Sequence, residues 1–280
     1  MPDAASPDER GDDGPPGVGR AVAVLFIHGQ PGLGSDFDSV AELLGQRYTV
    51  LAPDRPGYGS GLVSPVSMRE NVEVLAGLLD QRRQSGVIVV GHSFGGGLAL
   101  LLAHHRPDLV AGLVLAASVG NARELGNMDR LLALPIVGDV LVAGGLGAAG
   151  TILPVIRAPA SLAPGRLGRW LTVSLPDSSF RKAAARKQLW KSVVAEQRTL
   201  MSEIGDIDEA LRHISVPTEV VAGTWDIMIG PEVAAHIAAS VHGAELVLVP
   251  GTGHFLTRDA PAVLAGAVRR VSERAGLAET

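Results

Sequence analysis

The stretch VIVVGHSFGGGLALLLAHH, Val87 to His105, joins two apolar runs through one glycine-flanked serine. The first run is short and β-branched, as suits a strand covered on both faces. The second is rich in leucine and alanine and long enough for a helix. At the joint, Gly91-His92-Ser93-Phe94-Gly95 matches G-x-S-x-G. The pattern alone is weak, since about 0.3 matches arise by chance in a chain this rich in glycine. Its setting gives it weight. A strand that reverses into a helix within a few residues forces the serine into a strained backbone conformation and thrusts its hydroxyl above the sheet. Small residues at 91 and 95 let neighbouring backbone pass close. The free N–H groups of the following helix, and the positive end of its dipole, aim towards the serine oxygen.

Outward from this joint, similar apolar runs recur at 21–29, 48–54, 109–118, 218–226 and 245–254. They are nearly continuous rather than alternating, as in strands buried on both faces of a parallel sheet. Helical segments separate most of them. One is predicted at 67–83, opened by Ser67 with Glu70 three residues on, the signature of a capping box. Others are predicted at 94–105, at 231–240 with Pro231 in the first turn, and at 261–275. This alternation predicts an α/β fold, a doubly wound and mostly parallel sheet. Between 119 and 209 the rhythm stops. No strand is evident there, and from Phe180 to Ile204 apolar residues fall at helical spacing. That interval is read as a helical cap inserted between core segments 21–118 and 210–280.

Composition narrows the function. With 46% hydrophobic and 19% charged residues, the chain has ample apolar surface to bury. A net charge of -5 argues against a nucleic-acid partner. The chain has no cysteine, which removes thiolate chemistry, and its eight histidines show no metal-ligand spacing; no metal and no cofactor is predicted. Residues 1–20 are acidic, rich in proline and glycine, and lack the features of a signal peptide. They read as a disordered tail of a cytoplasmic protein. The apolar stretch 140–156 is interrupted by four glycines and a proline and is short for a membrane span, so no stable membrane insertion is expected.

A serine hydroxyl needs a base to become a nucleophile. His254, in VPGTGHF just past the last predicted strand, is placed to serve. His104 and His105 lie three turns down a helix, and His213, His236 and His242 are read as lying at the wrong edge of the sheet. The base in turn needs a carboxylate to hold its tautomer. Asp226, in AGTWDIMIGP at the end of the penultimate strand, is preferred; Asp54, in APDRPGYG, is the rival on the far side of the elbow.

The order Ser93, Asp226, His254, together with HGQPG (His28 to Gly32) and DRPGYGSG (Asp54 to Gly61), resembles the α/β-hydrolase superfamily over about residues 21–275. The resemblance implies about six to eight strands, of which residues 1–20 look unable to supply the first two. It also implies an oxyanion hole built from the backbone N–H groups of Gln30 and Phe94, with His28 bracing the loop. Haloalkane dehalogenases and epoxide hydrolases of this fold resemble the chain but carry aspartate as nucleophile, and Ser93 argues against both. The expected activity is that of a serine hydrolase acting on an ester, thioester or lactone with an apolar acyl or alcohol part. Trp170 and Trp190 are candidates to line a pocket under the cap. A C–C bond hydrolase of vinylogous diketones, or a small-ligand receptor on the same fold, are the alternatives.

Overall fold

The computed structural model describes residues 21–59, 64–121, 125–146, 148, 165, 168 and 189–277. The expected tail at 1–20, Trp170 and the first nine residues of the helix predicted from Phe180 lie outside them. Six parallel strands form one sheet: β1 (Val22–Ile27), β2 (Tyr48–Leu51), β3 (Val87–His92), β4 (Val110–Ala116), β5 (Thr218–Gly223) and β6 (Glu245–Val249), in the order β2-β1-β3-β4-β5-β6. Each lies within a run predicted as a strand.

Both faces of the central strands are covered, which is why those strands lack polar alternation, whereas Leu246 and Leu248 of the edge strand β6 stay exposed. Leu25, Ile27, Val87, Val89, Leu113 and Leu115 belong to one buried cluster. Their neighbours Val24, Phe26, Ile88, Val90, Val114 and Ala116 belong to a second, on the opposite face. The first face is packed by α2 (Met68–Gln81), α3 (Phe94–His105), a long helix Leu189–Leu211 and the helix Pro231–Ser240. The second is packed by α1 (Asp38–Leu44) and the C-terminal helix Pro261–Arg274.

The capping box of α2 forms as predicted: Ser67 Oγ accepts from the Glu70 amide at 3.2 Å, and the Glu70 carboxylate accepts from the Ser67 amide at 2.8 Å. Helix α3 is buried from Phe94 through Ala103, since it lies between the sheet and two other helices and has no polar face to show. Helix α1 was not predicted. Its signal is short but present: Phe37, Val40, Ala41 and Leu44 fall at helical spacing and pack on the second cluster, where Phe37 stacks on Phe26 with ring centroids 4.6 Å apart.

Between β4 and β5, α4 (Asn127–Ala133) is followed by helical residues at 137–146. The long helix Leu189–Leu211, α5, returns the chain to the core. Its first half touches α4 and the helical residues after it: Gln197 donates to Asp129 Oδ1 at 3.1 Å, and Arg198 pairs with Asp139 at 3.1 Å. Its second half belongs to the core, because Leu200, Ile204 and Ile207 lie in the cluster of α2 and α3. A cap boundary near 209 therefore cuts through a continuous helix. Beyond β5 come α6 (Pro231–Ser240), the short α7 (Leu256–Asp259) and α8 (Pro261–Arg274). Among the described residues, no helix is long and apolar enough to cross a membrane.

Candidate active site

In a parallel sheet every strand ends on the same edge, so the loops after β1, β2, β3, β5 and β6 gather there. The chain passes from β1 outward to β2 and then crosses to β3 on the other side of β1. The loop after β1, which holds HGQPG, and the loop after β3, which holds Ser93, thus flank the point where strand order reverses. Open α/β sheets bind ligands at such a point.

Ser93 stands between β3 and α3 with φ 55° and ψ −122°. Its amide donates to the Ala116 carbonyl and its carbonyl accepts from the Gly96 amide, both at 2.9 Å. These bonds hold a conformation that side-chain-bearing residues avoid. A side chain at Gly91 would run into the backbone of Gly95 and Gly96; one at Gly95 would strike the carbonyls of Ile27 and His28. Close approach of backbone, as the pattern implies, is what requires glycine at both positions.

Asp226 follows β5 in a tight loop. Its Oδ1 accepts from the amides of Met228 at 2.8 Å and Ile229 at 3.0 Å, and its Oδ2 lies 2.8 Å from His254 Nδ1. Two amides thus orient the carboxylate, and the carboxylate accepts a hydrogen bond from the Nδ1–H of His254. The lone pair is left on Nε2, the tautomer a base needs. Both side chains are buried, as is Ser93. Asp54, the rival acid, accepts instead from the Gly34 amide at 2.8 Å and ties the loop after β2 to that after β1.

Two further histidines meet at this edge. His28 Nε2 accepts from the Arg55 amide at 3.0 Å while its Nδ1 donates to the Gly29 carbonyl at 2.9 Å. Burial, followed by the Arg55 charge, holds its pKa well below the usual histidine value. With both nitrogens engaged His28 braces the loop, as the resemblance implied. His92, the residue before Ser93, donates from Nε2 to the His254 carbonyl at 2.9 Å, with the two rings 5.0 Å apart. Burial and then the neighbouring His254 lower its pKa to about 4. A neutral imidazole therefore ties the elbow to the loop that carries His254.

The sequence reading passed over His92, and also Arg55, Tyr58 and Glu196. Arg55 and Tyr58 stand inside the quoted DRPGYG. Glu196 had a signal of its own, a carboxylate on the buried stripe of α5 beside Leu189, Ser192 and Leu200. His236 is corrected: it does not sit at the wrong edge but lines a cavity of about 470 Å³ together with Asp226, Asn121, Met228 and Glu232. Neither Ser93 nor His254 lines that cavity. Trp190 is half-buried in the first turn of α5, with Lys191 Nζ 5.8 Å from its ring centroid. Among the described residues, no group of three or more histidine or carboxylate side chains is placed to hold a metal ion.

Comparison with known proteins agrees with this fold. A sequence model of the alpha/beta hydrolase family matches residues 24–267. The chain belongs to the alpha/beta hydrolase family. It is 27% identical over 279 residues to an uncharacterized protein of Mycobacterium tuberculosis, covering 94% of this chain and 78% of that one. It is also 27% identical over 236 residues to the pimeloyl-[acyl-carrier protein] methyl ester esterase of Neisseria meningitidis, covering 82% of this chain and 86% of that one. Among solved structures, a thermophilic esterase from Thermogutta terrifontis superposes with a TM-score of 0.72 at 22% identity, covering 92% and 91% of the two chains.

Proposed function

We propose that the protein is a serine hydrolase that cleaves a carboxylic ester, thioester or lactone through an acyl-enzyme, with Ser93 as nucleophile, His254 as base and Asp226 as its carboxylate partner. The observation that carries this reading is the hydrogen bond from His254 to an Asp226 carboxylate already anchored by two amides, on a loop tied by His92 to the elbow of Ser93.

Ser93 Oγ attacks the carbonyl carbon as His254 Nε2 takes its proton. The carbonyl oxygen becomes an oxyanion, received by the N–H groups of Gln30 and Phe94. His254 then hands its proton to the leaving oxygen or sulfur, the bond to that atom breaks, and the acyl group stays on Ser93. Water, deprotonated by His254, attacks the acyl carbon, and collapse of the second tetrahedral species returns the proton to Ser93. Asp226 stays a carboxylate throughout and stabilises the imidazolium formed twice in the cycle. A donor preset for the oxyanion is worth about 3–4 kcal/mol, since the charge it meets exists only in the transition state.

The surroundings support an apolar substrate class. Tyr58 and Leu189 form a small apolar cluster with Leu33, Leu146 and Val193 near the loop after β1, and the inserted interval is apolar in composition. A cap at about 119–209, with Trp170 and Trp190 lining its pocket, would favour an apolar acyl or alcohol part. The esterase from Neisseria meningitidis is compatible with such a substrate. Turnover of p-nitrophenyl esters from acetyl to decanoyl tests the reading: the protein should hydrolyse several of them, and Ser93→Ala should lower kcat by about 10⁴ or more. Tight binding without turnover would instead identify a receptor.

A further inference from the structure

Behind the loop after β1 lies an ion pair from which water is fully excluded: Arg55, from the loop after β2, and Glu196, from α5, each with a side chain 0% exposed. Arg55 Nη1 bonds Glu196 Oε1, and Nη2 lies 3.3 Å from Oε2. The Tyr58 hydroxyl donates to Oε2 at 2.5 Å. The other edge of the guanidinium faces the loop. Nε donates to the His28 carbonyl at 3.0 Å and Nη2 to the Gly29 carbonyl at 2.9 Å. The ring of Phe94 packs against the same guanidinium, 4.9 Å from Cζ to centroid, as does that of Tyr58.

We infer that Arg55 and Glu196 form a buried strut through which α5 aims the two N–H groups that receive the oxyanion. The inference rests on the serine-hydrolase reading. Its physical basis is the planarity of the peptide bond. The Gly29 carbonyl and the Gln30 N–H belong to one rigid unit and point in opposite directions, so a donor that pins the first fixes the second. Bonds accepted at that carbonyl, from Arg55 and from His28, also polarise the unit and make its N–H a stronger donor. Phe94, which supplies the other N–H, rests its ring on the cation. The planar fork of arginine can hold a carboxylate on one edge and two successive carbonyls on the other; lysine cannot. Glu196 fixes the angle of the fork.

Stability does not account for the pair, because a buried ion pair is often matched or bettered by apolar residues of the same size. Two more bonds tie the same helix to the same loops: Gln30 Nε2 donates to the Val193 carbonyl and Ser192 Oγ to the Gly57 carbonyl, both at 2.6 Å. The helix that closes the insertion therefore sets the oxyanion site. Arg55 and Glu196 are positioning residues that never meet the substrate.

The test measures kcat and KM for p-nitrophenyl butyrate, and the inhibition constant of an alkyl trifluoromethyl ketone, whose adduct with Ser93 carries an oxyanion. Arg55→Lys and Glu196→Gln are compared with the wild type. Folding is followed by thermal unfolding. The double variant Arg55→Met with Glu196→Leu leaves no unpaired buried charge and guards against loss of the fold. The strut predicts that kcat and ketone affinity fall together, by about 10-fold to 100-fold, with KM within about threefold. Folded variants that keep wild-type kcat and ketone affinity, or lose only KM, overturn the strut alone, provided the wild type reacts with a fluorophosphonate at Ser93. A wild type inert to both reagents overturns the hydrolase reading and the strut with it.

Discussion

At the scale of single residues, the backbone of Ser93 costs the fold on the order of 1–3 kcal/mol, because a β-carbon at φ 55° crowds its own peptide groups. The neighbouring bonds to Ala116 and Gly96 hold it there, and what is gained is a hydroxyl raised above the end of the sheet. This can be measured. Ser93→Gly removes the β-carbon and the strain but adds freedom to the unfolded chain, which offsets about 1 kcal/mol. The balance favours the variant. Urea unfolding should show Ser93→Gly more stable than wild type by about 1 kcal/mol while it hydrolyses no ester. A variant less stable than wild type would mean that the conformation at 93 is not strained.

At the scale of elements, strands were legible because a sheet covered on both faces leaves an almost unbroken apolar run, as in VAVLFI of β1 and VIVVGH of β3. Helix α2 was legible through its cap, and α6 through the proline in its first turn. Helix α1 escaped because it has only two turns and its apolar stripe begins in the preceding 3₁₀ turn at Phe37. The extent of α5 escaped for a different reason. Its amphipathic stripe continues without a break from contacts with the insertion into the core, so periodicity offered no boundary near 209. The candidate site was legible wherever a motif names its own partner, as the elbow does. Arg55 and Glu196 were not, because 141 positions separate them and only the fold reveals that a carboxylate on a buried stripe meets a guanidinium from another loop.

At the scale of the whole molecule, the buried histidines couple stability to pH. His92 has a pKa near 4 in the fold, lowered first by burial, and His28 lies well below the ordinary value for the same reason. In the unfolded chain both titrate near 6.5. Above that pH they are neutral in both states and contribute no slope. Between about 6.5 and 4 the unfolded chain binds the extra protons, so stability falls as the solution is acidified. For His92 the loss is complete near pH 4. Each histidine adds roughly 1.4 kcal/mol per pH unit inside its window. His92→Gln, which keeps a donor for the His254 carbonyl, should therefore show a slope shallower by about that amount in urea unfolding between pH 6 and 5. Equal slopes for variant and wild type would show that His92 protonates as readily inside the fold as outside it.

The fold brings the loops after β1, β3, β5 and β6 to one edge, and the whole account depends on their acting as one catalytic unit around Ser93. The most direct measurement is reaction with a fluorophosphonate followed by peptide mass mapping. The account predicts one adduct per chain, on Ser93, absent in Ser93→Ala and formed far more slowly in His254→Ala. An adduct elsewhere, or equal labelling of Ser93 with and without the imidazole at 254, would contradict it.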